Sequence, residues 1–229
     1  MGSLKNVVIK KKIMVKLTNE EKAVLIGGIL GDEIIVKRDG SYRYRVQHSS
    51  GQAEYVHWKR RKLKSKCTRT QPPKNYPTTR EGGDSKGRYE VTEFYTDSGM
   101  YLKEIHDLLY KKLPNGRYRR TITKETIDHL PVDPLVIAVW YMDDGSIRND
   151  CYAGKISTQG FTYEENELLC DYLRKFNIDC HVVKHTEVSH QWYITIPAHT
   201  FGQLISTIEP FVREVPSMIY KLNELRKTP

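Results

Sequence analysis

The spacing of apolar residues along the chain changes from stretch to stretch, and each change predicts an element. Residues 23–30 (AVLIGGIL) and 136–142 (VIAVWYM) are apolar without interruption, two helix-like stretches that each run into acids. Thr18, with Glu21 three residues on, forms a capping box for a helix running to about Gly31. Asp133 followed by Pro134 is an N-cap with proline at the first helical position, opening a helix through Met142. Residues 34–48 alternate in period two on either side of Asp39-Gly40, the signal of a hairpin. A helix over 50–65 follows, then strands near 66–71 and 88–95 flanking a Pro/Gly-rich excursion at 72–87, then a helix over 97–113. The second half repeats this order. Strands near 146–148 and 151–158 flank Asn149-Asp150, a helix over 162–176 starts on its own capping box (Thr162, Glu165), strands follow near 180–186 and 191–196, and a helix over 199–211 closes the series.

The chain therefore reads αββαββα twice, over 18–125 and 126–229, after an N-terminal extension 1–17. Spacing supports the repeat. Asp32 precedes Gln47 by 15 residues and Asp144 precedes Gln159 by 15, and each half closes on a basic residue after an aromatic, Arg120 and Lys221. Three glycines in the first helix, at 27, 28 and 31, would each cost about 1 kcal/mol relative to alanine. They make sense if another helix packs tightly there, as small residues allow, with Ala138 and Val139 as the matching surface. The ends of the two helices then bring Asp32 and Asp144 together, an apposition that repulsion and both helix dipoles oppose. A divalent cation relieves it, and Mg²⁺ suits a few carboxylate or carbonyl oxygens plus water.

Charge adds a partner. Residues 1–125 carry 28 Lys/Arg against 14 Asp/Glu, whereas residues 126–229 carry 9 against 14. So basic a first half favours a polyanion, nucleic acid first among them. On 41–48, Arg43, Arg45 and Gln47 share one face and Tyr42, Tyr44 and Val46 the other. Arg38 across the hairpin, Arg69 and Arg88 on the second hairpin, and Lys155, Lys184 and Trp192 in the second half are further candidates for contact with DNA. The run HWKRRKLKSK (57–66) reads as a solvated helix face touching phosphates. Four cysteines without CxxC spacing argue against a disulfide framework or zinc site and for a reducing, intracellular compartment. No secretory signal or membrane-spanning run is read.

LIGGILGDE (25–33) and VIAVWYMDDGS (136–146) resemble the two signature helices of the LAGLIDADG homing endonucleases, in the single-chain, pseudo-symmetric branch. The resemblance spans about 18–225. It implies an α+β fold of two αββαββα units packed on the signature helices, each laying a four-stranded antiparallel saddle along the DNA major groove. It implies a monomer that cuts both strands of a long, nearly asymmetric site, leaving 3′ overhangs, with two or three Mg²⁺ ions or Mn²⁺ in their place. By the same resemblance Asp32 and Asp144 hold metal, with carbonyls of Gly31 and Asp143 as further ligands. Gln47 and Gln159 order the attacking water, and Arg120 and Lys221 steady transition-state charge. An intron or intein origin is likewise implied by the family alone. Two positions depart from the pattern. Glu33 stands where a glycine or small residue is usual, where a long acid would crowd the metal site, and Arg120 replaces the more frequent lysine. Glu33 keeps two other readings open: an intron RNA maturase of the same fold, or a DNA-binding protein whose nuclease site is lost.

Overall fold

A computed structural model describes residues 16–79, 88–186 and 190–222. The N-terminal extension through residue 15 and the later part of the Pro/Gly-rich excursion, 80–87, lie outside the described residues.

The first half begins with α1 (Asn19–Leu30), whose capping box is formed as expected, with the Glu21 amide on Thr18 Oγ1 at 3.1 Å and the Thr18 amide on Glu21 Oε2 at 2.9 Å. Next come β1 (Ile34–Arg38), β2 (Ser41–Ser49) and α2 (Ala53–Lys62), then β3 (Lys74–Thr79) and β4 (Arg88–Tyr95). Asp39 takes φ 47° and Gly40 φ 74° at the β1–β2 turn, the left-handed pair that a tight hairpin needs. The four strands form an antiparallel sheet in the order β1-β2-β4-β3.

Two expectations for this half need correction. The strand expected over 66–71 is instead β3 at 74–79, inside the supposed excursion. Pro77 sits within it opposite Glu90, which an edge strand tolerates because its outward side needs no N–H donor. The helix expected over 97–113 is only α3 (Lys103–Leu109) behind a 3₁₀ turn at 100–102. It gives way to a hairpin of β5 (Tyr110–Lys112) and β6 (Tyr118–Arg120), then a short α4 (Lys124–His129).

The second half keeps the expected order. α5 (Pro134–Asp144) is capped by Asp133, whose Oδ1 accepts from the Leu135 amide at 2.9 Å, and it runs two residues beyond Met142. β7 (Gly145–Ile147), β8 (Gly154–Ile156), α6 (Tyr163–Arg174), β9 (His181–Lys184), β10 (Trp192–Ile196) and α7 (Ala198–Val212) follow, with a 3₁₀ stretch at 216–222. The second sheet is ordered β7-β8-β10-β9, the strand order of the first sheet repeated. A continuous apolar core joins the halves. α1 and α5 lie side by side at its centre, buried from Ala23 to Leu30 and from Leu135 to Met142.

Candidate active site at the helix seam

The seam is built from backbone approach. A Cβ on Gly27 would lie 2.7 Å from the Val136 carbonyl oxygen and from Val139 Cβ, and one on Gly31 would lie 2.6 Å from Asp143 Cβ. These two glycines face α5, as expected, although the partners are Val136, Val139 and Asp143 rather than Ala138. Gly28 does not face the seam. It makes room within its own half for the Tyr44 hydroxyl and the Glu33 carboxylate.

At the joint C-terminal ends of α1 and α5 the structure gathers the acids. Asp32 is about half exposed, 49% of its side chain. Asp144 is half-buried, and burial together with the charges of Asp32 and Asp143 pushes its carboxyl up to about 8. The two motif acids therefore feel one another directly across the seam. Each helix end is also met by the basic residue of its own half. Arg120 Nη1 donates to the Ile29 carbonyl at 2.7 Å and to the Gly31 carbonyl, and the guanidinium lies over Phe161. Lys221 Nζ donates to the Gly145 carbonyl at 2.5 Å, and burial pulls this ammonium below its ordinary range. Arg120 sits at the end of β6, the strand absent from the sequence reading, which is what carries it to α1.

Beside these acids lies a buried cluster that sequence reasoning missed. Lys59 of α2 is fully buried, and its ammonium donates to Glu33 Oε1, to Asp143 Oδ1 at 2.8 Å and to His48 Nε2 at 3.1 Å. Burial opposes the Lys59 charge, but Asp143 and Glu33 outweigh it and hold the group above its usual value. The Tyr55 hydroxyl has two acceptors for its one proton, Asp143 Oδ1 at 2.8 Å and the Val139 carbonyl at 3.2 Å. Burial, reinforced by the Glu33 charge, pushes Asp143 up to about 7 against the pull of Lys59. Glu33 thus points inward, its side chain fully buried and its amide on the Gly28 carbonyl at 2.9 Å. It does not project beside Asp32 as the departure from the family pattern suggested.

The donor set can be tested against a divalent cation. Among the described residues, Asp32, His48 and Asp143 bring ligand atoms within 4.8 Å of one another. One atom of each of the last two is engaged, since His48 Nε2 and Asp143 Oδ1 both accept from the Lys59 ammonium. What suits a hard cation is the carboxylate pair Asp32 and Asp144, the exposed face of Asp32, and the carbonyl oxygens at the helix ends. The Gly31 carbonyl, expected as a ligand, already accepts from Arg120, although a carbonyl retains a second lone pair. Asp143 Oδ2 has no hydrogen-bond partner.

Of the glutamines, Gln47 lies on β2 and donates to Glu93 Oε2 at 3.1 Å. Gln159 lies in the loop three residues beyond β8 rather than on the strand. On the open face of the first sheet Arg45 forms an ion pair with Glu93 at 2.6 Å, and Arg43 lies over Tyr95 at 5.4 Å. Arg38 is exposed at the end of β1. Arg69 is not on a hairpin strand. It is exposed in the loop before β3, its amide on Asp97 Oδ1 at 2.9 Å. Arg88 opens β4, and its side chain lies outside the described residues. In the second sheet Lys155 is exposed over Tyr193, and Lys184 is exposed opposite Trp192, which meets Tyr163 edge-on at 5.0 Å.

Two sheets of one strand order, hung on a shared helix pair with acids at its end, define a two-repeat protein with a carboxylate centre on its pseudo-dyad. Residues 22–203 match the profile of the LAGLIDADG DNA endonuclease family. The chain belongs to that family. A probable intron-encoded DNA endonuclease 3 of Mycosarcoma maydis is 32% identical over 131 residues, 56% of this chain and 90% of that protein. A probable intron-encoded endonuclease 1 of Wickerhamomyces canadensis is 25% identical over 224 residues, 93% of this chain and 87% of that one. The structure of the homing endonuclease I-WcaI bound to its DNA recognition sequence has the same fold, with a TM-score of 0.75 at 22% identity over 91% of this chain and 88% of that one. No described helix is long and apolar enough to cross a membrane.

Proposed function

We infer that this chain is a sequence-specific DNA endonuclease that works as a monomer with divalent metal, hydrolysing both strands of a long site to leave 3′ overhangs. The observation that carries this is the apposition of Asp32 and Asp144 at the seam, each helix end met by a basic side chain of its own half. Family membership and relatives named as endonucleases support it.

In this reading Asp32 and Asp144 hold Mg²⁺ or Mn²⁺, two or three ions in all, which when bound supply an activated water and stabilise the leaving oxygen. The residues of the chain do the rest. Asp32, half exposed, offers its carboxylate to a bound ion. Gln47 orients water on one side and Gln159 on the other. Arg120 and Lys221 face the charge that develops on the phosphate, and Arg120 stays a fixed cation because a guanidinium does not give up its proton. The open faces of the sheets lie on the major groove, where Arg38, Arg43, Arg45, Arg88, Lys155, Lys184 and Trp192 meet bases and phosphates, with Arg69 reaching in from its loop.

Incubating the protein and its Asp144→Asn variant with a randomised duplex library in Mg²⁺, then sequencing the ends, tests this. Staggered 3′-overhang ends from one long shared site, absent with the variant, are expected. Duplex retained on the protein with no ends formed would make it a DNA-binding protein instead.

A further inference from the structure

Arg120 and Lys221 reach the two helix ends from the last segment of their own halves, but each segment is held there by the other half. Ile122, two residues beyond Arg120, donates its amide to Glu165 Oε1 at 3.2 Å, and Arg119, one residue before, pairs with Glu165 Oε2. Glu165 belongs to the first turn of α6, in the second half. Between these two anchors the Arg120 guanidinium lies over Phe161, also of the second half, at 5.8 Å. The other segment is held in the reverse sense. Ser217, four residues before Lys221, donates its amide to Glu54 Oε2 at 2.8 Å, and Glu54 belongs to the first turn of α2, in the first half. Tyr220 accepts from Gln52 Nε2 at 3.1 Å, and the Lys221 ammonium lies over the Tyr220 ring at 5.5 Å. α2 and α6 occupy the same place in the two repeats, each following the second strand of its sheet.

We propose that Glu54 and Glu165 are reciprocal positioning residues: each, from the equivalent helix of one half, fixes the backbone that carries the other half's basic residue to the seam. A carboxylate accepting a backbone N–H makes a strong, charge-assisted bond, and it holds main chain rather than a side-chain tip. This deepens the endonuclease reading and rests on it for the roles of Arg120 and Lys221. The two strands of a duplex are related across the pseudo-dyad as the halves are, so each basic residue faces one scissile phosphate. Loosening one bracket therefore slows one strand.

Amide hydrogen exchange of the full chain without DNA reads the brackets directly. Glu54→Ala is expected to speed exchange at Ser217 and leave Ile122 as it was, and Glu165→Ala to do the reverse. Unchanged exchange at the bracketed amide overturns the proposal. The second readout is single-turnover cleavage, in Mg²⁺, of supercoiled plasmid carrying the site recovered from the duplex library. Each alanine variant is expected to accumulate nicked circles, with opposite strands left uncut in the two variants. The slow strand should lose about 10- to 100-fold in rate, the scale of a misplacement near 1 Å, at unchanged affinity for the duplex. Glu54→Gln and Glu165→Gln, whose amide oxygens still accept, should restore the rates. Equal slowing of both strands, or the same slow strand in both variants, is what a merely structural role gives and overturns the proposal. Glu54 is exposed, whereas Glu165 is buried and also completes the Thr162 cap. If Glu165→Ala does not fold, Arg119→Ala breaks the ion pair, leaves the cap and takes its place in both measurements. A wild-type chain that yields no cut site overturns the endonuclease reading, while the exchange rates decide the brackets by themselves, so the two failures are distinct.

Discussion

Asp143 and Asp144 keep protons in the metal-free fold that an unfolded chain sheds near its ordinary carboxyl range. Their carboxyls titrate near 7 and 8 in the folded state, so the native chain binds more protons than the unfolded one and stability falls as pH rises through that window. His48 acts in the opposite sense, its depressed value adding stability as pH rises from about 4 to its ordinary 6.5. Above pH 6.5 the His48 contribution is complete, while the two acids still pull stability down. Thermal melts of the metal-free protein are therefore expected to drop between pH 6.5 and 8, and Mg²⁺ or Asp144→Asn should flatten the decline. A second expectation concerns Glu33. Glu33→Ala leaves Lys59 short of one acceptor in a dry pocket, and breaking a buried pair in this way costs about 3–5 kcal/mol, measurable by urea unfolding. At this scale the sequence was legible for the motif acids and opaque for their support. Lys59 hid among the basic residues of HWKRRKLKSK, yet Tyr55, Lys59 and Leu63 recur at helical spacing along one buried stripe. His48 likewise ends the inward-facing series Tyr42, Tyr44, Val46. A charged or titratable residue at a core position of a pattern was the available signal.

Among elements, the helix starts were the most readable, because a capping box is local chemistry. Thr18, Asp133 and Thr162 all cap as their neighbours imply. The misplaced elements failed for equally physical reasons. β3 contains Pro77, and its flanking Pro72 and Pro73 read as loop, whereas an edge strand tolerates proline because one side of its ladder is open. Beyond α3, Tyr110-Lys111-Lys112 continues a helical pattern without a break, and only Pro114-Asn115-Gly116 hints at the turn that pairs β5 with β6. α4 starts on Thr123 with Thr126 in the third position, a capping partner that the Glu/Gln rule does not anticipate. The seam itself yields a sharp expectation. Gly27→Val places methyl groups where the Val136 carbonyl and Val139 Cβ already stand, so the helices must part. Overpacking of this kind typically costs about 1–3 kcal/mol. The melting temperature should fall and cleavage should fall with it, because the acids ride on those helices.

Across the whole molecule, the basic first half and mildly acidic second half predict binding that is steeply salt-dependent and anchored more firmly on the first sheet. That sheet also carries a brake. Glu93 sits on its open face and ties down both Arg45 and Gln47. Glu93→Gln is expected to tighten binding to mixed-sequence duplex, to increase the steepness of log K against log salt by about 0.9 if Arg45 then meets one phosphate, and to reduce discrimination among sites. An unchanged slope would show that Arg45 reaches the DNA with its carboxylate partner still attached. Gly31 and Asp143 occupy the same place in the two repeats, one residue before each motif acid, and the bare backbone of the first is what lets the side chain of the second reach Lys59. Two identical subunits cannot make that contact. Aspartate in both copies would collide at the dyad, and glycine in both would leave Lys59 without its partner across the seam. The pairing is open only to halves that differ in sequence at this position. Halves exchanged between relatives would therefore have to carry Lys59, Gly31 and Asp143 as a set.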